Sequence, residues 1–338
     1  MRRRDVRAFT LVELMVATAI LMLLLGVLFV AINETGKIWR RSSDKIEAFQ
    51  DARGAFETMT RTLSQATLNT YYEYFDSAGR PASDAGYSGT PSRYGRQSDL
   101  HFVAGKSLLN GQVGHAVFFQ APLGEAGNQY AKLDALLNAC GFFIRFGDDA
   151  STSSLSGRPP VLDASALPLR YRFRLMEMSQ PAEQMKIYNS TGTQWFTDAL
   201  ATSPPKTRVL AENIVALVIL PKQPDTEEPA DPTQRIGADY EYDTRTTWSG
   251  TKQPATMNQL CPVLKIVMIA IDETSALRLQ GNSSSVPDLG YVPDSVFRKA
   301  SELTGDLAKV EAALSAKHIG YRVFQTEIPL RNSKWSTQ

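Results

Sequence analysis

Cysteine, histidine and net charge are all scarce in this chain. Cys140 and Cys261 are the only cysteines among 338 residues, and they form no Cys-x-x-Cys pair. That excludes a disulfide-framework protein and a thiolate zinc cluster. The three histidines, His101, His115 and His318, lie far apart, each beside an apolar run. None has a second ligand-type residue at metal spacing, so they read as satisfied structural histidines. A formal net charge of +1 offers no basic face to nucleic acid. The chain has no Gly-x-Ser-x-Gly turn, no P-loop and no Gly-x-Gly-x-x-Gly, so a nucleophile elbow and a phosphate cradle are missing. An enzyme is not expected. Proline is also absent from residues 1–80, which leaves a long helix unobstructed there.

What is present is concentrated at the start. Residues 7–17 read Arg-Ala-Phe-Thr-Leu-Val-Glu-Leu-Met-Val-Ala, and no other formal charge follows Glu13 before Ile32. A carboxylate inside an apolar span costs kilocalories unless it finds a partner, so it marks a functional site by default. A cut between Ala8 and Phe9 would create that partner, a new α-amine four residues before Glu13. Two staggered subunits could then pair the Glu13 of one with the Phe9 amine of the next. A plain signal anchor is the competing reading, since residues 14–32 are about long enough to span a bilayer. Such an anchor gains nothing from Glu13. A cleaved secretory signal fits less well, because its small-x-small site, Ala17-Thr18-Ala19, falls in the middle of the apolar run.

The segment Phe9-Thr10-Leu11-Val12-Glu13 resembles the N-termini of the type IV prepilin family, position by position. The resemblance implies cleavage between Ala8 and Phe9, N-methylation of Phe9, and subunit docking through Glu13. It also implies one long N-terminal helix packed on a β-sheet. Ala8 departs from the glycine usual before the cut but is still small enough for a tight peptidase pocket. The implied partners are other prepilin-like subunits, a prepilin peptidase/methyltransferase, an inner-membrane assembly platform and membrane lipid. Arg2, Arg3, Arg4 and Arg7 precede the span and mixed charges follow it, so the N-terminus should stay cytoplasmic. The expected location is the bacterial inner membrane, single-pass, with the C-terminal domain periplasmic, and then a filament or pseudopilus. Losing residues 1–8 removes four Arg and one Asp, taking the net charge from +1 to −2.

The expected organisation is a basic leader at 1–8, a transmembrane helix at 9–32, an exterior amphipathic continuation at 33–69, an exposed loop at 70–99 and a globular domain at 100–338. The continuation carries Phe49, Ala52, Phe56, Met59, Leu63 and Ala66 at spacings of three and four, a stripe in search of a partner surface. The loop is rich in Gly, Ser and Pro but opens on Tyr71, Tyr72 and Tyr74, either a contact surface or the cover of a helix end. Beyond it, strands are expected at 99–104, 115–120, 141–146, 171–178, 214–220, 264–271 and 320–328. Short helices are expected at 129–139, 181–188, 193–201 and 301–317, the last with Ser301 as N-cap and Gly320 after its end. Arg170, Arg172 and Arg174 alternate with Tyr171, Phe173 and Leu175, giving one strand a polar face. Asp272 and Glu273 should cap the next helix, and 224–230 and 235–254 read as loop. A long helix followed by mainly antiparallel strands with inserted helices is an α+β fold.

That order is similar to the larger minor pilins and the J-type pseudopilin of type II secretion. Asp99 to Gly105, Ala116 to Gly124 and Tyr321 to Asn332 resemble, more closely, the Verru_Chthon cassette protein C family of prepilins. That closer resemblance implies companion prepilin-like proteins and brings no activity with it. The expected function is a structural subunit, a minor pilin or pseudopilin. The alternative is an adhesin or substrate-binding module displayed on the same helix. No cofactor is expected. Calcium is the one candidate ion, because some pseudopilins bind it and two acidic clusters offer hard oxygens. These are Asp148-Asp149 with Ser151, Thr152 and Ser153, and Asp225 with Glu227, Glu228 and Asp231. In an oxidising exterior Cys140 and Cys261 could form a disulfide; two buried free thiols are the alternative.

Overall fold

Helix α1 runs Leu11–Leu63, 53 residues without a proline, in a computed structural model of the chain. The described residues are 11–127, 135–149, 169–202, 206–223, 235–248, 250–280 and 283–336, with backbone alone for 37–48, 280 and 294. The chain divides into two compact units, Met1–Ala48 and Phe49–Gln338.

In the second unit the stripe on α1 is buried as its spacing requires. Ala52, Phe56, Met59 and Leu63 enter the main core together with Ala66, which lies just past the end of the helix, while Asp51, Glu57 and Arg61 stay wet. Arg53 and Glu57 form an i,i+4 pair at 2.8 Å on the exposed side, worth only tenths of a kcal/mol. Phe56 packs on Phe324, ring centroids 5.8 Å apart.

Eleven strands follow among the described residues. β1 (Tyr71–Phe75) and β2 (Arg93–Gln97) form an antiparallel hairpin. β3 (Val103–Gly105), β4 (Gln112–Pro122), β5 (Leu137–Gly147), β6 (Arg172–Gln180), β7 (Thr207–Glu212) and β9 (Tyr242–Asp243) make an antiparallel sheet ordered β7-β6-β5-β4-β3-β9. β8 (Ile214–Lys222), β10 (Val263–Ile271) and β11 (Tyr321–Pro329) make a three-stranded antiparallel sheet ordered β11-β10-β8. Helices α2 (Gln194–Ala201), α3 (Glu273–Gln280) and α4 (Leu303–Ala316) are inserted between strands. The α+β class and the pilin-like order stand.

The six-stranded sheet is covered on both faces, and strand periodicity decides which residue faces which layer. Val117, Phe119, Phe142, Ile144, Phe173 and Leu175 join α1 and the three-stranded sheet in one core. Their neighbours Ala116, Phe118, Phe143, Met176 and Met178 join Trp195 and Phe196 of α2 in another. Phe118 lies directly opposite Gly141 and stacks on Phe196 at 3.9 Å and 5°. A Cβ on Gly141 would sit 2.1 Å from the Phe118 ring, so this cross-strand place must stay empty. Gly141→Ala is expected to destabilise the unit by about 1–3 kcal/mol through overpacking, read as a lower urea midpoint with unchanged slope. An unchanged midpoint would show that Phe118 can move aside freely.

Several expected elements change. The segment 70–99 is not a plain loop: its ends form the β1–β2 hairpin, closed by Asp76, which accepts from the amides of Ala78 and Arg80 at 2.9 Å and of Ser88 at 3.2 Å. Of the helix expected at 129–139, residues 129–134 lie outside the described residues and 137–139 are strand, because Leu137 to Ala139 pair with β4. The helix expected at 181–188 is two isolated 3₁₀ turns, Ala182–Gln184 and Ile187–Asn189. β7 was not expected at all. Ser301 does not cap α4; it lies in a 3₁₀ turn, Ala300–Glu302, ahead of it. The left-handed turn after α4 falls on His318 at φ 54°, not on Gly320. Gly320 is required for a different reason, since a Cβ there would meet Asp272 Oδ2 at 1.8 Å. Asp272 itself caps α3 as expected, its Oδ1 accepting from the Ser275 amide at 2.7 Å.

Candidate functional site

The first unit is built around the apolar part of α1. Leu11–Gly36, 26 residues, is long and apolar enough to cross a membrane, at about 39 Å for 1.5 Å per residue. None of that stretch is buried against the chain itself: Leu11 is 77 % exposed and Met22 74 %. Leaving such side chains in water costs on the order of 1.5–3 kcal/mol each, so lipid or another helix must cover them. The hydroxyls within it already have partners. Thr18 donates to the Met15 carbonyl at 3.0 Å and Thr35 to that of Ala31 at 2.8 Å, which hides both from hydrocarbon.

Glu13 stands in the first turn of α1, where the helix dipole favours a negative charge. Ala8 and Phe9, the residues of the expected cut and methylation, lie outside the described residues.

The other singled-out residues fall in the second unit and do not converge. His101 and His115 are buried and fully engaged, one in each of two cores. Trp195 Nε1 donates to His101 Nδ1 at 3.0 Å, and His101 Nε2 meets Asp243 Oδ1 at 2.8 Å. His115 Nδ1 accepts from the Ile219 amide at 3.0 Å, and its Nε2 faces the Phe297 carbonyl at 3.3 Å. Burial, helped by the Lys106 charge, pushes the His115 pKa down to about 4.

Cys140 and Cys261 are both buried free thiols, so the disulfide is not formed. Cys140 belongs to β5 of the six-stranded sheet, while Cys261 precedes β10 of the other, and each sulfur fills its own place in the core. Burial pushes both thiols well above their usual range, which leaves them inert.

The polar face on β6 is real but buried. Arg172 and Arg174 are 3 % and 1 % exposed, and they reach Glu273 at 2.8 Å and Glu212 at 2.9 Å. Hydrogen bonds from Arg172 and Asn213 outweigh burial and hold Glu273 below the usual carboxylate range. These are structural pairs: breaking one strands a charge.

Asp149 accepts from the Arg170 amide at 2.9 Å, but Ser151, Thr152 and Ser153 lie outside the described residues. So does the second acidic cluster, Asp225 to Asp231. Among the described residues no group of three or more His, Cys, Asp or Glu is placed to hold a metal ion.

Sequence reasoning missed one arrangement, a polar cleft near the β1–β2 hairpin. Its walls come from segments near residues 81–84, 97–99, 187–192, 245–246 and 257–258. No local spacing could announce it.

An apolar helix bare on all sides, opening on a first-turn carboxylate, defines a protein whose N-terminus is made to be covered by membrane or by other helices. Residues 3–29 match the family model of the prokaryotic N-terminal methylation motif. No curated protein and no solved structure matches the chain. The chain carries a prepilin-type N-terminus and is type IV pilin-like, with other pilin subunits and a prepilin peptidase as the partners that the motif implies.

Proposed function

We propose that this chain is a structural subunit, a minor pilin or pseudopilin, of a filament in a type IV pilus or type II secretion-like system. The observation that carries the proposal is the prepilin-type motif at 3–29 with Glu13 in the first turn of an uncovered apolar helix. In this reading the chain waits in the inner membrane as a single-pass protein, held by residues 9–32. The arginines at 2, 3, 4 and 7 keep its N-terminus cytoplasmic, and the second unit stands in the periplasm. A prepilin peptidase removes residues 1–8 and the new Phe9 amine is methylated.

Assembly is then a transfer of apolar surface from lipid to neighbouring helices. Between helices in lipid the gain comes from van der Waals packing, which is unspecific along the filament axis. The ion pair between Glu13 and a neighbour's Phe9 amine supplies register, because only one stagger brings the two charges together in a low-dielectric setting. The large second unit is bulky for a densely repeated shaft position, which supports a minor or tip place.

Processing is directly measurable. Mass spectrometry of the mature protein is expected to find an N-terminus at Phe9, one methyl group heavier than the unmodified amine. An intact Met1 start in cells with an active peptidase would overturn the proposal.

A further inference from the structure

We propose that the polar cleft beside the β1–β2 hairpin binds a neutral oligosaccharide. The cleft has a volume of about 560 Å³, within the range of pockets that hold small ligands. It lies wholly in the second unit and stands independently of the filament reading.

Its lining favours sugar on three counts. The first is the kind of polar group. Ser83, Thr191 and Thr246 line it with Gln97, and a hydroxyl oxygen that already donates once, as Ser83 does to Glu73 and Thr191 to Gln194, keeps lone pairs for a hydroxyl-rich ligand. The second is the aromatic rim. Tyr188 is 60 % exposed at the cleft, a large apolar residue that the chain itself leaves uncovered. Asp99, which accepts from the Tyr71 hydroxyl at 3.3 Å, belongs to the same lining, so an aromatic ring and a carboxylate face one cleft. A ring with an apolar face and a polar rim is what a pyranose can lie against, with its hydroxyls directed to the acceptors beside it.

The third count is charge, and it excludes the main rivals. Asp84 and Asp99 line the cleft, and Arg245 is the one cation among its described lining residues. Its guanidinium is already committed to backbone carbonyls: Ser190 at 3.1 Å, Asp99 at 2.9 Å and Ile187 at 3.2 Å. A phosphate or an acidic sugar would meet two carboxylates and no uncommitted cation.

A control is built into the hairpin. Tyr72, Tyr74 and Tyr94 are exposed too, with Tyr94 5.6 Å from Tyr72 and 5.1 Å from Tyr74 between ring centroids. None of the three belongs to the lining of the cleft.

The test uses the full chain in detergent micelles against hexose and N-acetylhexosamine oligosaccharides at millimolar concentration, with sialylated oligosaccharides and unrelated peptides alongside. Ligand-observed NMR reports binding. A neutral oligosaccharide is expected to bind, Tyr188→Ala to weaken it by about tenfold or more, and Tyr94→Ala to leave it within about twofold. Asp99→Asn, which keeps the side-chain shape, is expected to weaken binding with an unchanged thermal midpoint. Failure of every neutral oligosaccharide to bind overturns the proposal. So does equal binding by Tyr188→Ala, or binding confined to the acidic sugars or the peptides.

Discussion

Glu13→Leu is expected to enter the membrane and be cleaved, and yet to vanish from sheared filament fractions. The substitution removes an intramembrane charge worth roughly 2.5–3.5 kcal/mol of insertion cost, so a plain anchor would insert as well or better. Cleavage should persist, since the cut lies about one helical turn away. The loss comes at assembly. In the proposed filament the amine of a neighbouring Phe9 then has no counter-ion in a water-poor setting. An uncompensated buried charge costs about 3–5 kcal/mol, enough to exclude the subunit when wild-type copies compete for the place. Immunoblots of membrane and sheared fractions measure both halves. Wild-type incorporation of Glu13→Leu would remove the assembly role assigned here.

The second large effect is a loss of stability in acid that traces to His115. Its ring is packed at 4.8 Å against Tyr240, and the nearby Lys106 charge further disfavours protonation. The folded pKa is about 4, below the ordinary histidine value near 6.5. Above pH 6.5 both folded and unfolded chains hold the ring neutral, and the contribution to stability is complete. As pH falls from 6.5 toward 4, the unfolded chain takes the proton and the folded one refuses it. Stability therefore drops by about 1.4 kcal/mol per pH unit from this group, roughly 3 kcal/mol in all. Urea unfolding of the micellar protein, followed by tryptophan fluorescence at pH 7 and 4.5, measures the change. His115→Gln should be weaker at pH 7 but should lose about 2–3 kcal/mol less than wild type on acidification. Equal acid losses in the two proteins would place the sensitivity elsewhere.

Much of the architecture was legible in local pattern. The stripe from Phe49 to Ala66 reads at helical spacing, and the structure buries Ala52, Phe56, Met59 and Leu63 on α1 and Ala66 just past its end. β4, β5, β6, β8, β10 and β11 each contain most or all of an expected strand, because their β-branched and aromatic runs suit a pleated, half-buried surface. The misses share a cause. β1 and β2 lie at the ends of a turn-rich segment, and their pairing depends on Phe75 reaching Trp248, 173 positions along the numbering, at 5.2 Å between ring centroids. The stretch at 137–139 has helix-compatible residues, but the ladder to β4 overrode their weak propensity.

By itself the sequence determined the N-terminal device: a basic stretch, a small residue, Phe9, a charge at position 13 and an apolar run long enough for lipid. Each is local, and each acts through charge and hydrophobicity that need no neighbours from the rest of the chain. Tertiary structure alone decided that Cys140 and Cys261 stay apart as free thiols and that the arginines of β6 are buried against Glu212 and Glu273. It also decided that five separate segments enclose a polar cleft. Those are long-range meetings, governed by how two sheets and a helix close around common cores, and no spacing along the chain encodes them.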